Sequence, residues 1–139
     1  MPYLTKQYKF CAAHRYWNPN WSESKNYQVF GEDVRIHGHN YILDVTIHGP
    51  INDDSGFICN LFELNKIVQS QILDVMDHSQ IQLDIPWFKL KQPSTENMVV
   101  FVWEQIESKI PNPAILYSIK LRETPTIFTE YFGPEGKQS

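Results

Sequence analysis

The stretch that decides the fold is His37-Gly38-His39-Asn40-Tyr41-Ile42-Leu43-Asp44-Val45-Thr46-Ile47-His48-Gly49. Alternate residues of an extended chain point to the same side. His37, His39, Tyr41, Leu43, Val45 and Ile47 therefore share one face, and the apolar run from Tyr41 onward predicts a strand buried on that side. His48 falls on the opposite face and reads as structural. The two histidines at the start of the strand have only Gly38 between them, close enough on one face to chelate one ion.

Toward the N-terminus, residues 15 to about 35 are polar and rich in Trp and Asn, and NPNWSESKN reads as loop. A loop of that length inside a small domain is as a rule functional or mobile. Residues 3–14, YLTKQYKFCAAH, alternate in part and predict a first strand with Tyr8, Phe10, Ala12 and His14 on one face. Toward the C-terminus, GPINDDSG is a turn cluster. Asn60 to Met76 predicts a helix, because Leu61, Leu64, Val68, Ile72 and Val75 recur at helical steps and Asn60 with Glu63 makes a capping pair. Asp77 and His78 stand at its end. DIPWFKLKQP is a connector closed by Pro93. A second helix starts near Ser94 or Thr95, both good N-caps, with Met98, Val99, Val102, Trp103 and Ile106 along one stripe. Pro111 and Pro113 stop it. Residues 115–122 and 126–132 read as two strands joined by Glu123-Thr124-Pro125, and the tail GPEGKQS reads as loose. The order is ββααββ. Its natural solution is α+β: a four-stranded antiparallel sheet with two helices on one face, in a single domain over residues 1–139.

Composition narrows the function. Hydrophobic residues make up 42% and aromatics 14% of 139 residues, enough for one packed core and too many for a disordered chain. Twelve basic against sixteen acidic residues, with no basic run, argue against a nucleic-acid surface. No apolar stretch approaches the roughly 20 residues that cross a bilayer. Cys11 and Cys59 do not make a disulfide framework and fit a reducing compartment. With no charged-then-apolar leader at the start, a cytoplasmic location is expected.

The chemistry centres on His37 and His39. A third imidazole from the neighbouring antiparallel strand would complete a set, and His14 has the right parity for it. Three neutral imidazoles with an open fourth position make a catalytic zinc site, whereas structural zinc sites are closed and rich in cysteine. Spacing alone leaves other readings open. A His-x-His pair can be two polar residues satisfied by solvent or backbone, and cupin-like metal proteins also carry one on a strand.

FCAAHRY, HGHNYILDVTIHG, DDSGFICNLFEL, MDH, PSTEN and LRETP, in that order over roughly residues 7–133, together resemble the 6-pyruvoyl-tetrahydropterin synthase family. The resemblance implies the T-fold, whose subunits join their four-stranded sheets into a barrel. It implies homohexamers, built as a dimer of trimers with active sites at subunit interfaces. The implied substrate is the pterin 7,8-dihydroneopterin triphosphate, with Zn2+ held by His14, His37 and His39. Glu123 matches the family's pterin anchor, suited to accepting two N–H bonds from the 2-amino-pyrimidinone edge. Thr95 lies where the family also contacts the pterin. Asp77 and His78 match its proton relay, in which a carboxylate orients an imidazole. Without the resemblance, Asp77-His78 reads as helix C-terminal capping, Thr95 as an N-cap and Glu123 as a surface turn residue.

One motif departs from the family. Members that make pyruvoyl- or carboxy-tetrahydropterin carry a cysteine base just before HGH, and here GEDVRIHGH places Asp33 there, beside Glu32. Cys11 faces away from His14, and nothing places Cys59 at the metal. A carboxylate near pKa 4 is a weaker base than a thiol near 8.5, by roughly four units, unless burial raises it. Three functions remain open: a zinc lyase giving a 6-pyruvoyl- or 6-carboxy-type tetrahydropterin, with Asp33 or Glu32 as base; carbon–carbon cleavage to 6-hydroxymethyl-dihydropterin, as in family members with a glutamate there; and a non-catalytic pterin-binding protein. The motifs do not identify the phosphate contacts, for which Arg15, beside His14, is the candidate.

Overall fold

The computed structural model describes residues 1–138. Its sheet has five strands in the order β3-β1-β2-β4-β5. Strand β1, Tyr3–His14, lies antiparallel to β2, His37–His48, in a register that sets Tyr3 opposite His48, Phe10 opposite Tyr41 and His14 opposite His37. β4, Ile115–Thr124, pairs antiparallel with β2, and β5, Ile127–Tyr131, closes the far edge. The addition to the expected four strands is β3, Ser79–Gln80, which runs parallel to Ala12–Ala13 of β1. Two residues are too few to carry a period, so the sequence gives no sign of it.

Alternation along the strands builds the core. Tyr8, Phe10, Ala12 and His14 of β1 face inward with Tyr41, Leu43, Val45 and Ile47 of β2 and Ile119 and Leu121 of β4. Two main helices contribute to the same core. The first, α2 (Leu61–Val68), begins where the Asn60 side chain accepts from the Phe62 N–H. It continues without a break through a π-helical turn, Gln69–Leu73, into α3, Asp74–Met76. Leu64, Val68, Ile72 and Met76 are fully buried, while the expected stripe members Leu61 and Val75 are each 40% exposed. The π turn explains the second of these. It lengthens one turn by a residue, so the core contact after Ile72 falls on Met76 and Val75 rotates outward. Helix α5, Thr95–Ile106, starts at Ser94, whose hydroxyl accepts from the Asn97 N–H, and buries Met98, Val99, Phe101, Val102 and Ile106. Each fully buried side chain of this kind stabilises the fold by about 1.5–3 kcal/mol.

The connector after β3 is more ordered than expected, with α4 at Ile81–Asp84 and a 3-10 turn at Pro86–Phe88. The segment read as a long loop also holds structure: α1, Glu23–Phe30, followed by a 3-10 turn, Gly31–Val34. Ser22 caps α1 by accepting from the Lys25 N–H, and Gly31 ends it at φ 58°. Buried Asn26 accepts from the Asn18 N–H and donates to the Asn18 and Ser22 carbonyls. The cap and the terminal glycine are both visible in the sequence. The absence of an apolar stripe hid the helix between them, since α1 buries an amide instead.

Candidate metal centre

The β1–β2 register brings the three histidines together. His14 and His37 are cross-strand partners and His39 lies two residues along on the same face. Their ring centroids are 4.6 Å apart for His14–His37 and 5.1 Å for the other two pairs. One ligand atom from each falls within 4.8 Å of the others. The outer nitrogens are fixed by backbone: His14 Nδ1 donates to the Pro93 carbonyl at 2.7 Å, and His37 Nδ1 to the Arg35 carbonyl at 2.8 Å. A carbonyl only accepts, so in the neutral rings the proton sits on Nδ1 and the Nε2 lone pair is left for the centre.

Glu123 owes its place to a β-bulge. Arg122 pairs with Phe128 and Thr124 with Ile127, which leaves Glu123 as the extra residue of β4. Bulges beside functional sites commonly re-aim a side chain. Glu123 Oε1 lies 3.2 Å from Nε2 of both His14 and His39. Neither approach is aligned as a hydrogen bond, and both buried Nε2 atoms are without a hydrogen-bond partner. The contact with His14, with His39 and His37 adding to it, holds the Glu123 carboxyl below the usual carboxylate range against the opposing effect of burial. Burial pushes the His39 imidazole down, against the pull of Glu123. Buried nitrogens without partners, converging beside an ionised carboxylate, fit a metal ion: the cluster could hold one through His14, His37 and His39.

Of the two acids before HGH, Asp33 approaches the cluster, with Oδ1 3.8 Å from His37 Nε2. That is too long for a hydrogen bond. Glu32 turns to the surface, 3.6 Å from Arg35 Nε. The Thr95 hydroxyl is buried and lies 2.8 Å from the Thr129 hydroxyl of β5 while donating to Glu96.

Asp77 and His78 sit elsewhere in the same chain. Asp77 Oδ1 accepts the Cys11 N–H at 2.9 Å, and the His78 N–H donates to the Cys11 carbonyl at 2.6 Å. Both residues therefore ride on the edge of β1, with the Cys11 thiol donating to Asn40 on the face away from His14. Asp77 Oδ2 is 3.0 Å from His78 Nδ1, whose side chain is 81% exposed on a backbone at φ 63°. The Cys11 N–H, with His78 beside it, holds the Asp77 carboxyl below its usual range. Cys59 is buried away from the histidines, and burial raises its thiol.

Two tyrosines complete the surroundings. The Tyr41 ring packs 5.6 Å from His39, and its buried hydroxyl has no partner. The Tyr16 ring lies 5.0 Å from His14. Burial, with Glu123 nearby, pushes both phenols up. The parity that selected His39 also selects Tyr41, whereas Tyr16 follows the end of β1 and carries no signal.

A histidine cluster on the helix-covered face of a small, mostly antiparallel sheet, with a bulge-borne carboxylate against it, defines an α+β protein with a metal-type site. The sequence matches the 6-pyruvoyl tetrahydropterin synthase family over residues 3–134, and the chain belongs to that family. It is 34% identical to the Drosophila melanogaster 6-pyruvoyl tetrahydrobiopterin synthase over 95% of this chain and 80% of that one. It is 32% identical to the Homo sapiens 6-pyruvoyl tetrahydrobiopterin synthase over 94% and 90%. The Caenorhabditis elegans 6-pyruvoyl tetrahydropterin synthase structure superposes with a TM-score of 0.86 at 33% identity, over 96% of this chain and 97% of that one. The architecture is thus the T-fold, and the chain is a synthase-like enzyme of the pterin family. No described helix is long and apolar enough to cross a membrane.

Proposed function

We propose that this single-domain protein is a zinc-dependent lyase that takes 7,8-dihydroneopterin triphosphate to a 6-pyruvoyl- or 6-carboxy-type tetrahydropterin. The observation that carries the reading is the convergence of His14, His37 and His39 beside Glu123. Zinc bound by the three imidazoles would supply Lewis-acid polarisation of a substrate oxygen. Glu123, ionised at neutral pH, accepts paired N–H donors from the pterin edge. Thr95, at the start of α5, is the second pterin contact in this reading. Asp33 is the base candidate, because it reaches toward His37 while Glu32 pairs with Arg35 at the surface. Asp77 and His78 hang on the Cys11 backbone at the edge of β1 and make no hydrogen bond or ion pair with Glu123 or the three imidazoles among the described residues. In a homohexamer built from two trimers the relay would serve the site of a neighbouring copy. A cytoplasmic location goes with this reading.

A second reading has a specific observation in its favour. A carboxylate, not a thiol, stands nearest the cluster at the base position, as in the family members that cleave the carbon–carbon bond to give 6-hydroxymethyl-dihydropterin with a glutamate there. One experiment separates the readings: zinc-loaded parent, Asp33→Asn and Asp33→Cys are incubated with 7,8-dihydroneopterin triphosphate and the products identified by mass. A pyruvoyl or carboxy product lost in Asp33→Asn supports the lyase, and a 6-hydroxymethyl product supports cleavage. Tight pterin binding with no product from any form leaves a binding protein.

A further inference from the structure

The segment that leaves β1 at His14 runs along a second concavity, of about 600 Å3. Its charged lining consists of Arg15, Lys89 and Lys91, and no carboxylate lines it. In a chain of net charge −4 this is a local reversal of sign. None of the three cations belongs to an ion pair among the described residues. Arg15 Nε is buried without a partner, and its guanidinium lies over the Trp17 ring at 5.1 Å.

The walls are braced. Gln92 accepts the Trp17 N–H and donates to the Trp17 carbonyl, while Gln82 accepts the Arg15 N–H. These bonds tie residues 15–17 to the far wall, and the exposed Lys91, whose ammonium rests over the Trp87 ring at 5.1 Å, swings to meet a ligand. Pro93 also lines the concavity, and its carbonyl is the one that holds the His14 ring. The concavity and the histidine cluster therefore share a wall.

We propose that this concavity is a subsite for a condensed phosphate chain, gripped by Arg15, Lys89 and Lys91. The proposal rests on the pterin triphosphate reading for its place in the reaction. Arg offers phosphoryl oxygens a planar fork of donors and Lys a mobile point charge. Three such groups without a competing carboxylate suit a polyanion better than a single carboxylate or sulfate. The same chemistry would take the triphosphate tail of a substrate or free tripolyphosphate.

The test is calorimetric titration of the zinc-loaded protein with inorganic tripolyphosphate, with metal content measured afterward. Arg15→Ala and the double variant Lys89→Ala/Lys91→Ala are each expected to weaken binding about tenfold or more, and Lys109→Ala, outside the concavity, to leave it unchanged. Lys89 and Lys91 are exposed, so the double variant tests the site even where Arg15→Ala unfolds. Affinity indifferent to the double variant overturns the subsite, whatever the enzyme turns over. Affinity lost in the double variant, with no turnover of the pterin triphosphate by the parent, keeps the subsite and removes the lyase reading. Where turnover is present, the double variant is expected to raise KM about tenfold with little change in kcat.

Discussion

A buried polar nitrogen without a partner costs about 1–3 kcal/mol, and two of them, on His14 and His39, face one Glu123 oxygen. A cation held by the imidazoles would give both nitrogens a partner. His39→Ala removes one donor and leaves buried His14 in place. Metal affinity is expected to fall beyond the 10–100-fold loss roughly typical of changes behind the ligands, read by competition with a chromophoric chelator; an unchanged affinity removes His39 from the site. Asp77 carries a pH signature instead. Its folded-state pKa is depressed from 3.8, so its contribution to stability is complete above that value and is lost as pH falls through the folded value. Asp77→Asn keeps an oxygen for the Cys11 N–H and loses the charge. The difference in urea midpoint between the two proteins is expected to hold from about pH 7 to 5 and to close below about pH 4. A difference that persists at low pH means the side chain acts without its charge. At this scale, parity was enough to align the three histidines, because strand spacing is regular. It could not place Glu123, since β4 carries two extra residues, Tyr117 and Glu123 itself, that break the period. The Pro93 carbonyl against His14 was beyond reach, because a backbone acceptor leaves no mark in residue type.

Among the elements, the helices repay a local test. The Ser94 hydroxyl binds the Asn97 N–H at the start of α5. Ser94→Ala is expected to cost about 1 kcal/mol in chemical denaturation, with no effect if Thr95 takes over the cap one residue on. Ile72, fully buried in the π turn, should cost about 2–5 kcal/mol when cut to Ala; a loss under half of the lower figure would mean the turn collapses around the gap. Helical periodicity in residues 61–76 and 95–106 was legible because both segments are amphipathic. Helix α1 was not, for its anchor is the polar Asn26, and Val75 was assigned inward because a π turn leaves no residue signature.

For the whole molecule, the order of the four long strands and two main helices follows from the pattern of apolar runs and turns. What one chain leaves open is its edges. β3 covers β1 only at Ala12 and Ala13, and no described strand pairs with the outer side of β5, where Ile127 and Phe128 are about half exposed. Open edges of this kind invite pairing with another copy. Phe128→Asp is expected to shift the protein toward monomers in light scattering with an unchanged circular dichroism spectrum, and turnover should fall with it; a variant that assembles like the parent excludes this edge as a contact. The π turn at Gln69–Leu73 has a consequence for descent. Losing one residue there would return the helix to even winding and swing everything beyond by about 100°, taking Met76 out of the core and pointing His78 elsewhere. Insertions and deletions among relatives should therefore be purged between residues 61 and 78 and collect in the exposed turn at 50–57, so that the length of this helix is inherited intact while its neighbouring loop drifts.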